Sequence, residues 1–173
     1  MIKEFCKNKR ILIIGNAASV LEQERIIPDD MVIVRINRGY PKGLERFIGS
    51  RTDILASSIP IPREVMGKNY GYPLLFWCTP SDIGYQGVWL KHSQRYSPAK
   101  WQALHDQLGA RPTTGCMAVD YFTSLNTKGV YILGFDFFRT PSWNWPKFRT
   151  SYSEVHNPEA EEKYITEKVR MLC

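Results

Sequence analysis

The chain has 173 residues, of which 43% are hydrophobic and 23% are charged. This is the length and composition of one folded domain, and it excludes a disordered or fibrous protein. Lysine and arginine number 23 and aspartate and glutamate 17, so the formal net charge is +6. A net positive charge favours an anionic substrate or partner.

Strand-like and helix-like patterns alternate along the chain. The predicted strands are residues 10–15, 31–37, 53–56, 73–79 and 130–138, all rich in aliphatic, β-branched or aromatic residues. The predicted helices are residues 18–27, 98–108, 114–126 and a last helix that begins at residues 157–158 and runs almost to residue 173. This alternation predicts one α/β domain spanning residues 1–173, with a mostly parallel sheet covered by helices on both faces.

Cysteines and hydropathy indicate the compartment. The longest aliphatic run covers residues 11–14, far short of the roughly 20 apolar residues that cross a bilayer. Cys6, Cys78, Cys116 and Cys173 form no Cys-x-x-Cys pair, which favours free thiols over a zinc site. The first residues lack the apolar core of a signal peptide. We therefore expect a soluble, cytoplasmic protein without a metal site.

The turn after the first strand is a candidate anion site. Gly15 and Asn16 lie between that strand and a predicted helix, where backbone N–H groups are available to an anion. Neither the dinucleotide fingerprint Gly-x-Gly-x-x-Gly nor the phosphate loop Gly-x-x-x-x-Gly-Lys-Ser/Thr is present, which argues against nicotinamide cofactors and ordinary ATPases. The alternative is a plain tight turn between strand and helix.

Two more segments fall where parallel strands and helices meet at a sheet edge. Asn37 ends the second strand, and its amide can donate and accept hydrogen bonds to a ribose or a pyrimidine, or can simply form a turn. Thr113 or Thr114 can cap the helix that follows, and Gly115 leaves space in its first turn. The free N–H groups of that turn favour a phosphate or carboxylate. A plain capped helix is the alternative.

His156 is the candidate general base. It precedes a helix start, where the helix dipole disfavours the charged imidazolium and so favours a neutral ring. A neutral imidazole can take a proton from an attacking hydroxyl. Glu161 or Glu162 could orient the ring, although acidic residues are also common at helix starts.

Taken together, these motifs resemble those of the sialyltransferase-like glycosyltransferases, families 29 and 42. Residues 10–53 resemble the large sialyl motif, with an aliphatic strand, Gly15-Asn16, a second strand ending at Asn37, and Gly49-Ser50-Arg51-Thr52-Asp53. Residues 113–137 resemble the small motif, and His156 with Glu161 resembles the very short His-x4-Glu motif. The three matches occur in the family's order and cover most of the chain outside residues 54–111.

The resemblance implies a Rossmann-like, GT-A-variant fold and an enzyme. That enzyme would transfer sialic acid or a related ulosonic acid from its cytidine monophosphate (CMP) derivative to a glycan or glycolipid hydroxyl, with inversion and without a metal or other cofactor. The resemblance assigns Gly15, Asn16 and Asn37 to the nucleotide, and His156 to the acceptor as base. The remaining implied donor residues are Thr113, Thr114, Gly115 and Asp136, the last of which would border the ribose.

The chain departs from the family at the leaving group. Family 42 members place a tyrosine after Gly-x-Asp-Phe to support the departing phosphate, whereas this chain has Phe138 there. Tyr152, Arg139 and Lys147, from the loop that follows, are the candidate replacements.

Other functions stay open at this point. The donor could be CMP-Kdo rather than CMP-sialic acid, because the motifs would bind the CMP and the carboxylate and not the glycerol tail of the sugar. A basic, non-catalytic module that binds RNA or an anionic membrane is the alternative from a different class. The dispersal of lysine and arginine along the chain and the absence of an aromatic RNA-binding motif argue against nucleic acid. Peripheral contact with the inner face of an anionic membrane is compatible with either function.

Overall fold

A computed structural model describes residues 1–60, 74–80, 93–144 and 155–172. The strands are β1 (Arg10–Ile14), β2 (Met31–Ile36), β3 (Ile54–Ser57), β4 (Leu74–Trp77), β5 (Gln94–Arg95), β6 (Gly129–Leu133) and β7 (Arg170–Met171). The α-helices are α1 (Ile2–Cys6), α2 (Glu45–Ile48), α3 (Pro98–Leu108), α4 (Thr114–Thr123) and α5 (Pro158–Thr166), and a 3-10 helix covers Ala18–Glu22.

The strands form one parallel sheet in the order β5-β4-β3-β2-β1-β6-β7. The order reverses between β1 and β6, whose last residues, Ile14 and Leu133, are paired. In open parallel sheets a ligand binds at such a switch point, outside the carboxyl ends of the strands. The α/β fold predicted from the sequence is therefore confirmed, and its topology indicates where a ligand belongs.

Alternate residues of β1 enter two separate cores. Ile11 and Ile13 pack into the larger one, together with residues of α1, α3, α4 and α5. Leu12 and Ile14 pack into the smaller one, with Val20 of the 3-10 helix and residues of α2. Because successive side chains of a strand point to opposite faces, an uninterrupted aliphatic strand needs cover on both sides. This confirms the prediction of helices on both faces.

Several of the predicted elements are wrong in length. The helix predicted over 18–27 is a 3-10 helix that ends at Glu22, and the Arg25 guanidinium donates to the carbonyl oxygens of Val20 and Gln23. The strand predicted over 130–138 ends at Leu133 because Gly134 turns the chain with a φ of 70°.

The C-terminal part of the chain also differs from the prediction. Helix α5 ends at Thr166, and residues beyond it form β7, in which Arg170 pairs with Tyr131 of β6. Helix α4 ends at Thr123 rather than at residue 126, and the Thr123 hydroxyl donates to the carbonyl oxygen of Val119. Strands as short as β5 and β7 carry no periodic pattern, because two residues cannot show an alternation.

Candidate functional site

A cavity of about 400 Å³ lies at the switch point of the sheet. Eight of the nine predicted site residues line it: Gly15, Asn16, Asn37, Thr113, Thr114, Gly115, Asp136 and His156. Tyr152 lies outside the described residues. Residues that are more than 100 positions apart in sequence thus meet at the carboxyl edge of the sheet. His156 shares one cavity with Thr113, Thr114 and Gly115 at the start of α4.

Gly15 is required by the close approach of two backbones. Its N–H donates to the carbonyl oxygen of Leu133 at 2.8 Å, which continues the pairing of β1 with β6. A Cβ atom at this position would lie 2.4 Å from the carbonyl oxygen of Gly134. Glycine therefore allows the two strand ends to meet, which is the tight-turn alternative, and it does so at the wall of the cavity.

Two asparagines hold the ends of neighbouring strands together. Asn16 donates from Nδ2 to the carbonyl oxygen of Ile36 at 3.1 Å, which joins the turn after β1 to β2. The Asn37 amide accepts from the N–H of Ser58 at 2.9 Å and donates to the Thr114 hydroxyl at 3.2 Å. Asn37 thereby links β2, β3 and α4 from a left-handed conformation (φ of 51°) that asparagine tolerates.

The N-terminus of α4 presents backbone amides to the cavity. Thr113 is the N-cap, and its hydroxyl accepts from the N–H of Cys116 at 3.0 Å. Among the described residues, no hydrogen bond occupies the N–H groups of Thr114 and Gly115. Those two amides at the positive end of a ten-residue helix are the donors available to an anion.

The space that Gly115 leaves is used by the protein itself. A Cβ atom there would lie 2.8 Å from Cε1 of Phe135, a residue of the loop after β6 that also lines the cavity. The expectation that Gly115 merely clears space for a ligand is thus incomplete, because the Phe135 ring fills the space beside it.

Glu161 supports the same turn from α5. Its carboxylate accepts from the N–H of Thr113 at 2.7 Å and from the Thr113 hydroxyl at 2.6 Å. The residue is 3% exposed, and this burial raises the pKa of Glu161 to about 7. Sequence reasoning paired Glu161 with His156, whereas the carboxylate holds the cap of α4.

His156 is oriented by a backbone carbonyl. Its Nδ1 lies 2.5 Å from the carbonyl oxygen of Arg111, and because a carbonyl only accepts, Nδ1 carries the hydrogen. Nε2 of the neutral ring is then the atom that can take a proton. Phe138 stacks on the imidazole at a centroid distance of 6.0 Å with 11° between the planes. The prediction that Glu161 or Glu162 orients the ring is wrong, because Glu161 binds Thr113 and Glu162 pairs with Arg139 at 2.7 Å.

The His156 ring has the electrostatics expected of a base. Burial lowers the pKa of His156 below its ordinary value, and the nearby Arg111 charge lowers it further, whereas the hydrogen bond to the Arg111 carbonyl opposes the shift. The predicted direction is confirmed, but burial is its main cause. The imidazole is therefore neutral at physiological pH.

Asp136 fastens two loops at the rim of the cavity. Its Oδ2 accepts from the Ser19 hydroxyl at 3.1 Å, from the N–H of Thr140 at 2.9 Å, and from the Thr140 hydroxyl. Further backbone bonds join the same loops, including Trp143 N–H to the Asn16 carbonyl at 2.9 Å. We call this set the loop clamp. The Asp136 carboxylate is thus engaged with protein groups, and its implied role at the ribose stays a prediction.

Two cationic residues of the cavity wall received no role from the sequence, although they belong to segments that it singled out. Arg38 directly follows Asn37, and Arg111 directly precedes the segment that caps α4; both line the cavity. Their position next to predicted ligand residues was the available signal. Of the three candidates for the leaving group, Arg139 is exposed and paired with Glu162, while Lys147 and Tyr152 lie outside the described residues.

In the part of the chain that the structure describes, no group of three or more His, Cys, Asp or Glu side chains is placed to hold a metal ion. Likewise, none of the described helices has both the length and the apolar character required to span a bilayer.

A doubly covered parallel sheet with its cleft at the switch point defines a Rossmann-like fold. Among solved structures, the chain shares the fold of the sialyltransferases. A mammalian sialyltransferase bound to Gal-beta-1-3GalNAc-ortho-nitrophenol superposes with a TM-score of 0.69 and 18% identity, covering 98% of this chain and 71% of that one. The sialyltransferase CstII of Campylobacter jejuni, bound to the substrate analogue CMP-3FNeuAc, gives 0.63 and 14%, covering 95% and 79%. No family model and no curated protein matches the sequence significantly.

Proposed function

We propose that this chain is an inverting, metal-independent glycosyltransferase. It moves sialic acid or a related ulosonic acid from a CMP-sugar to a hydroxyl of a glycan or glycolipid. The observation that carries the proposal is a single cavity holding both a neutral, half-buried imidazole and two backbone amides, those of Thr114 and Gly115, that form no hydrogen bond among the described residues. Solved structures with this fold include a sialyltransferase bound to the substrate analogue CMP-3FNeuAc and one bound to Gal-beta-1-3GalNAc-ortho-nitrophenol.

The geometry suits the charges that this reaction moves. As the bond between the sugar and the phosphate breaks, its electron pair passes to the phosphate oxygen. Amides at a helix N-terminus stabilise that growing negative charge without having to reorganise. Nε2 of His156 takes the proton from the acceptor hydroxyl, which then attacks the anomeric carbon from the face opposite the phosphate. Opposed attack and departure account for the inversion.

The deciding experiment measures donor consumption and transfer. Purified protein is incubated with CMP-sialic acid and, separately, with CMP-Kdo in the presence of glycan acceptors, and CMP release and product are quantified with and without EDTA. We expect one donor to be consumed and EDTA to have no effect. Loss of turnover with EDTA would contradict metal independence. Salt-sensitive RNA or vesicle binding, with neither donor nor CMP bound, would instead support the non-catalytic basic module.

The base is tested with His156→Gln. We expect turnover to fall by about 10²–10⁴-fold, the usual contribution of a general base, while CMP affinity measured by calorimetry changes little. His105→Gln, which alters a histidine on α3 that stacks on Trp101 outside the cavity, is the matched control and should keep full activity. An active His156→Gln enzyme would remove the residue from its role.

The chain would act in the cytoplasm, where its net charge of +6 would favour peripheral contact with an anionic membrane that carries a glycolipid acceptor. Cosedimentation with anionic and neutral vesicles tests this. Equal binding to both would contradict a role for the charge.

A further inference from the structure

A buried carboxylate shares the N-terminus of α4 with the proposed phosphate site. Glu161 is 3% exposed, lines the cavity, and accepts both of its hydrogen bonds from Thr113. The amides left for an anion belong to the next two residues, Thr114 and Gly115. A ligand phosphate and the Glu161 carboxylate would therefore occupy the same end of one helix.

The groups around Glu161 do not cancel its charge. Several ionisable groups surround it. Those that line its cavity are Arg38, Arg111, Asp136 and His156, those on its own helix are Glu159, Glu162, Lys163 and Tyr164, and Cys116 on α4 interacts electrostatically with it. Glu162 pairs with Arg139, and no ion pair of Glu161 occurs among the described residues. Two anions at one desolvated site repel each other, and this repulsion favours protonation of one of them.

We propose that binding of the donor's phosphate at α4 is coupled to uptake of a proton by Glu161. The inference rests on the proposed function and adds to that site a carboxyl group whose protonation state changes when the phosphate binds. The proton comes from solvent, adds to a carboxylate oxygen of Glu161, and leaves again when CMP departs. Glu161 acts through the helix end and is a positioning residue, since its described hydrogen bonds are to Thr113 and not to a reacting group.

Burial brings this protonation within reach of neutral pH. Desolvation raises the pKa of Glu161 to about 7, so the free protein holds a mixture of both forms near that pH. A bound anion raises the pKa further and draws in a proton. His156 is already neutral there, because its pKa is lowered.

The coupling would also favour the products. The phosphate of a CMP-sugar is a diester with one negative charge, whereas the phosphate of released CMP is a monoester that carries close to two at pH 7.5, since its second pKa is about 6. A protonated Glu161 stabilises this added charge at the helix end. Proton uptake should therefore be larger for CMP than for the CMP-sugar.

Calorimetry in two buffers of different ionisation enthalpy counts the protons taken up. At pH 7.5 we expect uptake of roughly half a proton per CMP bound, and none for cytidine, which lacks the phosphate. Glu161→Gln keeps an acceptor for the Thr113 N–H and should bind CMP with almost no proton uptake. Glu162→Gln, the adjacent carboxylate paired with Arg139, is the matched control and should resemble the unmodified protein.

The outcomes separate this inference from the proposed function. Equal uptake by the unmodified protein and Glu161→Gln would overturn the coupling while CMP binding stands. Failure of the unmodified protein to bind CMP would overturn the proposed function and the coupling with it. If Glu161→Gln does not fold, carboxyl carbon NMR of the glutamate-labelled unmodified chain supplies the test. CMP should then raise the pKa of one buried glutamate, and an unmoved titration would refute the coupling.

Discussion

At two glycines of the cavity wall, neighbouring protein atoms lie too close for a Cβ atom, so a single added methyl group should disturb the structure. A Cβ at Gly115 would press on the edge of the Phe135 ring, which is a side chain and can move. A Cβ at Gly15 would meet the carbonyl oxygen of Gly134, which belongs to the backbone beside two paired strands. The two positions therefore differ in how much their neighbours can give way.

We expect Gly115→Ala to destabilise the protein by about 1–3 kcal/mol, the usual cost of overpacking, even though alanine favours helix more than glycine does. Gly15→Ala should cost more. Denaturant unfolding measures both. In the double variant Gly115→Ala/Phe135→Leu the smaller side chain should recover most of the loss. A double variant no more stable than Gly115→Ala alone would show that Phe135 is not what excludes the methyl group.

At the scale of elements, the loop clamp decides how the ends of β1 and β6 form a cavity wall. Asp136 joins the 3-10 helix through Ser19 and its own loop through Thr140. Asp136 could serve only as the hydrogen-bond acceptor of the loop clamp, or it could also contact the ligand directly. Substitutions that keep or remove an acceptor oxygen distinguish these two roles.

We expect Asp136→Ala to lower both the melting temperature and the affinity for CMP, because three donors lose their acceptor and both loops loosen. Asp136→Asn keeps one carbonyl oxygen at the clamp and should retain most of both properties. Thermal unfolding and calorimetry compare the two variants. A stable Asp136→Asn protein that had lost CMP binding would assign the carboxylate to the ligand instead.

At the scale of the whole molecule, the buried Glu161 carboxyl links the free energy of unfolding to pH. Its pKa is raised from 4.5 to about 7 on folding, so the native state holds this proton more tightly than the unfolded chain does. The associated stability is fully present below pH 4.5 and is lost as the pH rises to about 7. The lowered pKa of His156 acts in the opposite direction, with stability lost as the pH falls.

We expect the difference in unfolding free energy between the unmodified protein and Glu161→Gln to fall by about 3 kcal/mol from pH 4.5 to pH 7, at roughly 1.4 kcal/mol for each pKa unit. Urea unfolding at several pH values measures it. Taking the difference removes the contribution of His156, which both proteins share. A difference that stays constant over this range would contradict the raised pKa.

Local patterns determined the class of fold and most of the site. Uninterrupted aliphatic strands such as 11–14 must be buried on both faces, and this alone predicts a sheet between two layers of helices. Ser97-Pro98 and Thr113 mark helix starts through their own side chains and geometry, so α3 and α4 begin where the sequence predicts. Residues that follow strand ends were identified as site candidates because all parallel strands deliver their carboxyl ends to one edge.

Only the tertiary structure decided which side chains hold other residues of the candidate site in place. Glu161 meets Thr113 across 48 positions, and Asp136 meets Ser19 across 117. The edge strands β5 and β7 also depend on partners that are distant in sequence. A residue's type limits the hydrogen bonds it can make, but the packing of the chain selects the partner. The sequence therefore determined the candidates, and the structure assigned their contacts.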